Sequence, residues 1–200
     1  ATPVSIGREL AAIERRCAAR AAIDAVVASG GTVRWNSADL RDGEAMGEST
    51  AAIAVADGRI DVLLHAGGLE ISRFLPDKSP AEFDLVFDVK ADGWFHILHA
   101  LGDVPIGAAL VFSSIAGRFG NLGQTDYSAA NDLLCKTSSA LRRLRPGMRP
   151  LAVDWTAWGD IGMATRGSIP KMMELAGIDF LPAAAGIPII RRELVSSSFA

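Results

Sequence analysis

Short apolar runs alternate along this chain with longer stretches of helical period, and that alternation constrains the fold more than any other feature. Ile6, Leu10, Ile13 and Cys17 recur at helical spacing among Arg8, Glu9, Glu14, Arg15 and Arg16, which predicts a helix running to Ala28 and stopping at Gly30-Gly31. Thr32 to Trp35 reads as a short strand, and Gly43 to Val55 as a second helix. Ile60 to Leu64, bounded by Gly58 and by Gly67-Gly68, reads as a buried strand. Ser79-Pro80 opens a helix that runs to about Leu101, with proline at the favoured first position. Ala108 to Phe112 is the next strand. Asp126 to Leu144 is the next helix, ended by Pro146-Gly147, and Leu151 to Trp155 is the fourth strand. Short helices are expected over 170–175 and over Ala183 to Leu194. Strands separated by helices imply parallel βαβ units, hence an α/β fold of the Rossmann type, a doubly wound parallel sheet covered on both faces.

Composition narrows the functional classes. Half of the 200 residues are hydrophobic and the formal net charge is −3, a core-building balance that argues against a nucleic-acid platform. No apolar run approaches the ~18 residues of a membrane span, and the longest, Leu181 to Ile190, is broken by Pro182, Gly186 and Pro188. The N-terminus has no basic stretch followed by an apolar segment of the export type. The two cysteines, Cys17 and Cys135, form no metal or redox motif and point to a reducing, cytoplasmic compartment. Arg142, Arg143, Arg145 and Arg149 gather near an expected helix C-terminus, where cations complement the dipole.

In doubly wound folds the reactive groups collect beyond the carboxyl ends of the strands. Ser113-Ser114 ends one such strand, and thirteen residues on stands Tyr127, the only tyrosine in the chain. Asn131 follows one helical turn later on the same face. Lys90 lies in the preceding helix, within Phe87-Asp88-Val89-Lys90-Ala91-Asp92-Gly93. The chain holds 15 Ser, 3 Asn and 4 Lys, so all three offsets rarely coincide by accident around one tyrosine. Taken singly, a strand-end serine such as Ser114 is more often a cap and a helix lysine such as Lys90 is usually solvated, and Tyr127 alone could be a core aromatic; the whole set argues against those readings.

This set resembles the short-chain dehydrogenase/reductase superfamily. Within it, the chain is similar to the ketoreductase domains of multifunctional polyketide and polyunsaturated fatty-acid synthases, from about Thr2 to Leu194. Ordinary members of the superfamily carry a lysine four residues after the tyrosine. Ketoreductase domains carry asparagine there and take the lysine from the preceding helix, as in Tyr127-Ser128-Ala129-Ala130-Asn131 and Lys90. The resemblance implies reduction by NADPH of a 3-ketoacyl thioester, tethered through phosphopantetheine to an acyl carrier protein, beside the other domains of the same synthase. The catalytic set would be Lys90, Ser114, Tyr127 and Asn131. Tyr127 would give a proton to the developing alkoxide, and a nearby ammonium lowers a phenol pKa from its usual ~10. Ser114 would orient the carbonyl, Lys90 would hold the nicotinamide ribose, and Asn131 would position Lys90 or a water.

The resemblance also implies a cofactor surface. Asp39 and Leu40 fall where the family meets the adenine. His65, Ala66 and Gly67, in His65-Ala66-Gly67-Gly68, are similar to the small-residue turn under the ribose. Trp155 and Thr156 fall in the loop that meets the nicotinamide, where Trp155 and Trp158 have an equal claim as packing residues. Lys90 and Tyr127 belong to the same surface. His96 and His99 read as structural, with no third residue at metal-ligand spacing. Leu69-Glu70-Ile71-Ser72 and Phe119 stand where the family marks the hand of its alcohol product, and carry neither marker.

One part is missing from the pattern. Neither GxGxxG nor TGxxxGxG occurs, and Gly117, Gly120 and Gly123 lie on the substrate side. The expectation is therefore one partial ketoreductase domain over 1–200, without the first two strands, their phosphate-binding loop and a last strand after Ser196 to Ala200. In the order 3-2-1-4-5-6 that leaves ~14 Å between Thr32–Trp35 and Ile60–Leu64, too far to pair. A catalytically silent scaffold of the same fold, or another NAD(P)-dependent member of the superfamily, is the alternative.

Overall fold

Three apolar runs pair, in the computed structural model, into one parallel sheet. The structure describes residues 2–159, 161–162, 171, 173–174 and 177–195. The chain divides into two units, Ala1–Ser37 and Ala38–Ala200.

The first unit holds α1 (Pro3–Ala28). Thr2 and Ser5 form a reciprocal capping box that satisfies amide donors of the first turn. Its expected stripe is present but open to solvent, with Ile6, Leu10 and Ile13 at least half exposed. The strand expected at Thr32–Trp35 is absent: the segment has no strand conformation and Trp35 is 65% exposed. A strand persists only where a neighbour takes up its amides and carbonyls, and no described strand pairs with this one.

The second unit carries α2 (Gly43–Asp57), β1 (Ile60–His65), α3 (Pro80–Leu101), β2 (Ile106–Ser114), α4 (Ile115–Phe119), α5 (Thr125–Leu144) and β3 (Arg149–Trp155). Asp42 caps α2 by accepting from the Glu44 and Ala45 amides, and Gly58 ends it at φ 68°, which a side chain would strain. Ser79 and Glu82 form a capping box at the start of α3, with Pro80 in its first turn. Beyond β3, β4 (Trp158–Gly159) pairs with β5 (Leu181–Pro182), and α6 (Ala183–Val195) follows. The helix expected over 170–175 lies largely outside the described residues, as does the segment 196–200.

The sheet order is β1-β2-β3, all parallel, with Val62 opposite Ala108 and Leu110 opposite Leu151. Two successive crossovers in one direction, both right-handed by rule, put α3 and α5 on the same face. Trp94 and Leu101 from α3, Leu134 and Leu141 from α5, and Ala109 and Val111 from β2 build the core there. The other face is less covered at the edge, where Val62 and Leu64 are 44% and 52% exposed. Every carboxyl end of the sheet therefore opens on one rim, which carries His65, Ser114 and Trp155.

Candidate active site

Lys90 projects from the middle of α3 into the rim. Its side chain is buried, and its Nζ donates to the Phe112 carbonyl at 2.8 Å and stands 5.6 Å from the centroid of the Tyr127 ring. Burial lowers its pKa to about 8. The glycine turn makes this placement possible, because a Cβ on Gly68 would lie 2.8 Å from Lys90 Cε.

His65 ends β1 and fixes that turn to α3. Its Nε2–H donates to the Lys90 carbonyl at 3.0 Å, which assigns the neutral Nε2–H tautomer, and its ring stacks on Trp94 at 5.6 Å. Burial depresses its pKa to about 4. Ala66 is exposed on the turn. Gly67 is closed over by Leu40, whose Cδ1 occupies the space a Cβ would need. Leu40 also rests on Gly93 of α3 and gives its carbonyl to His96 Nδ1 at 3.0 Å. His96 thus docks the 39–42 segment, and His99 stacks on Phe95. Asp39, beside Leu40, is held by the Arg41 guanidinium at 2.7 Å, which keeps its carboxyl low, at about 2.

Ser114 is both the last residue of β2 and the cap of α4, its Oγ accepting the Ala116 amide at 3.1 Å. Tyr127 sits in the first turn of α5. Burial raises its phenol pKa, against the pull of hydrogen bonding with Ser114 and Asn131, and Glu70 adds to the rise. The lowering expected from Lys90 is therefore outweighed: an ammonium above the ring face, rather than beside the oxygen, does little for the phenolate, and desolvation prevails. Asn131 is fully buried one turn on. Its Nδ2 donates to the Tyr127 carbonyl at 2.7 Å, while Oδ1 has no partner among the described residues. Asn131 thus steadies Tyr127 rather than bonding to Lys90. Gly117 of α4 packs on it closely enough that a Cβ would come within 2.8 Å of Asn131 Cβ.

Trp155 lies behind the rim between Phe112 and Trp158, at 5.7 and 4.6 Å, with Thr156 half-buried beside it. Its indole packs the site from below. A further pair, Lys78 and Asp126, escapes sequence reasoning: Nζ and Oδ2 meet at 2.6 Å with both side chains 1% exposed. An acidic residue in a first helical turn is commonplace, and its partner comes from a distant loop.

Residues 5–160 match the family model described as KR domain. The chain belongs to that family. The KR domain here is 28% identical over 198 residues to a polyunsaturated fatty acid synthase polypeptide of Thraustochytrium sp., covering 98% of this chain and 7% of that protein. It is 31% identical to polyketide synthase PksN of Bacillus subtilis over 70% of this chain and 3% of that one. The chain therefore spans a small part of the curated relatives it matches. Among solved structures, a ketoreductase domain from the bacillaene assembly line superposes with a TM-score of 0.77 at 25% identity, over 88% of this chain and 43% of that chain. A short-chain dehydrogenase from Burkholderia cenocepacia, in complex with NADP, superposes with a TM-score of 0.75 at 19% identity, over 88% and 75%. The KR domain has the short-chain dehydrogenase form of the Rossmann-like α/β fold, its parallel sheet open at the edges.

Proposed function

We propose that this KR domain reduces the ketone of a 3-ketoacyl thioester, presented by an acyl carrier protein on phosphopantetheine, with NADPH, as one station of a cytoplasmic multienzyme synthase. The observation that carries the reading is the convergence of a buried ammonium, a strand-end hydroxyl and a single phenol, Lys90, Ser114 and Tyr127, on one rim. The family membership and the synthase relatives support it.

The residues present fit the nicotinamide end of such a cofactor. The Gly67-Gly68 turn carries no side chain of its own, Ala66 beside it is exposed, Lys90 brings an ammonium to the rim, and the orphaned Asn131 Oδ1 leaves an acceptor. Asp39, Leu40, Ala66 and Thr156 line the continuation of that surface in this reading, with His65 and Trp155 buried behind it. When bound, the nicotinamide supplies a hydride to the carbonyl carbon.

The chain's own residues do the rest. Ser114 Oγ donates to the carbonyl oxygen and orients it. Tyr127 keeps its proton at neutral pH, because burial holds its pKa up, and delivers that proton to the oxygen as negative charge develops. The hydrogen bonds of Ser114 and Asn131, which oppose the rise in the phenol pKa, steady the phenolate left behind, and water returns a proton. Tyr127→Phe tests this: NADPH binding should persist while ketone reduction falls at least a thousandfold. Substantial turnover by that variant would mean a different proton donor.

A further inference from the structure

The segment between the glycine turn and α3 runs past the first turn of α5 and is fastened to it from beneath. Lys78 Nζ donates to the Ile71 carbonyl at 2.7 Å and to Asp126 Oδ2 at 2.6 Å. The other oxygen of Asp126 accepts the backbone amide of Tyr127 itself, at 2.9 Å. One carboxylate thus grips the segment with one oxygen and the tyrosine's own main chain with the other. Two outer ties repeat the connection, the Arg73 amide to the Gly123 carbonyl at 2.9 Å and Gln124 Nε2 to Ser72 Oγ at 3.3 Å, while Arg73 also pairs with Glu82 at the start of α3.

A buried ion pair is a poor way to gain stability, because desolvating two charges offsets most of their attraction, and an apolar pair of similar volume does as well. What it offers is direction. Its hydrogen bonds fix distances and angles, and an acidic group in the first turn complements the helix dipole. Here the directional contacts end on the residue that carries the reactive phenol and on the loop beside it.

We propose that Lys78 and Asp126 are positioning residues, a buried clamp that sets the height of Tyr127 above Ser114 and Lys90 and holds the 71–78 segment as one wall of the substrate approach. The proposal rests on the reductase reading for its kinetic consequence, but not for its structural one.

The test uses the full-length protein with both charges removed together, Lys78→Met with Asp126→Leu, so that no unpaired charge is left buried. The clamp predicts a kcat at least tenfold lower, an NADPH Kd within twofold of wild type and a nearly unchanged unfolding midpoint. It also predicts faster amide exchange confined to 71–78 and 123–127, with β2 as protected as before. A kcat within twofold of wild type, or exchange that rises equally throughout, overturns it. If the double variant does not fold, exchange in the wild type decides: the amides of Arg73 and Tyr127 should open together, separately from the sheet, and unrelated openings refute the clamp. A wild-type protein that reduces no ketone would defeat the reductase reading, and the exchange result would still decide whether the clamp exists.

Discussion

The ammonium of Lys90 and the ring of Tyr127 come within 5.6 Å of one another from two different helices, with the Phe112 carbonyl holding the ammonium in place. Neither helix could make that approach without the other features of the rim. The glycine turn yields space to the lysine stem, and the clamp beneath α5 fixes where its first turn begins.

The alkaline side of the pH profile should belong to Lys90. Burial leaves its pKa at about 8, so the ammonium is lost as pH rises through that value, whereas the Tyr127 phenol, pushed up by burial, keeps its proton longer. We expect kcat/KM for ketone reduction to decline above about pH 8, and Lys90→Met to lower it roughly a hundredfold below that pH and to remove that limb, so that the two profiles converge in alkali. A profile flat to pH 10 in the wild type would contradict the assignment.

Gly68→Ala should damage activity far more than stability. Its Cβ would meet the flexible end of Lys90, Cε at 2.8 Å and Nζ at 3.3 Å, so the ammonium moves aside at small cost to the fold. Gly117→Ala makes the contrast, because its Cβ would meet the Asp132 amide and Asn131 Cβ, both at 2.8 Å, and backbone does not yield so easily. Unfolding midpoints and reduction rates measured on the two variants should rank in opposite orders.

His65 should make stability fall in mild acid. Its folded pKa, about 4, is below its ordinary value of 6.5, so between those values the unfolded chain binds the proton more readily. The stabilising contribution is complete above pH 6.5 and is lost as pH falls towards 4, up to about 3 kcal/mol. His65→Asn, which retains a donor for the Lys90 carbonyl, should flatten that part of the curve of unfolding midpoint against pH.

Leu134 should be the costly position on α5. It is 1% exposed in the core between α3 and the sheet, and truncation to alanine should cost about 2–5 kcal/mol. Leu133, 38% exposed on the neighbouring face, should cost well under half of that in the same denaturation experiment.

What sequence could disclose divides along physical lines. The α3 start was legible because Ser79 and Pro80 are local signals, and β2 because a buried parallel strand is apolar throughout. Lys90, Ser114, Tyr127 and Asn131 were legible as a set because their offsets are fixed by two helices and a strand. Thr32–Trp35 misled, since its β-branched and aromatic residues favour extended backbone but cannot supply a partner strand. The short helix α4 was missed because five residues give no period to detect. Lys78 and Asp126 were invisible for a different reason: a long-range ion pair leaves no pattern in either local segment, and each residue alone resembles a surface charge.

The stacking of His65 on Trp94 gives the site a built-in optical reporter. Protonated imidazole quenches the emission of an indole in contact with it, while the neutral ring quenches far less. Acidifying the folded protein to about pH 4 should therefore dim Trp94 as His65 takes up its proton, and that dimming would show the state of the turn in molecules that are still folded.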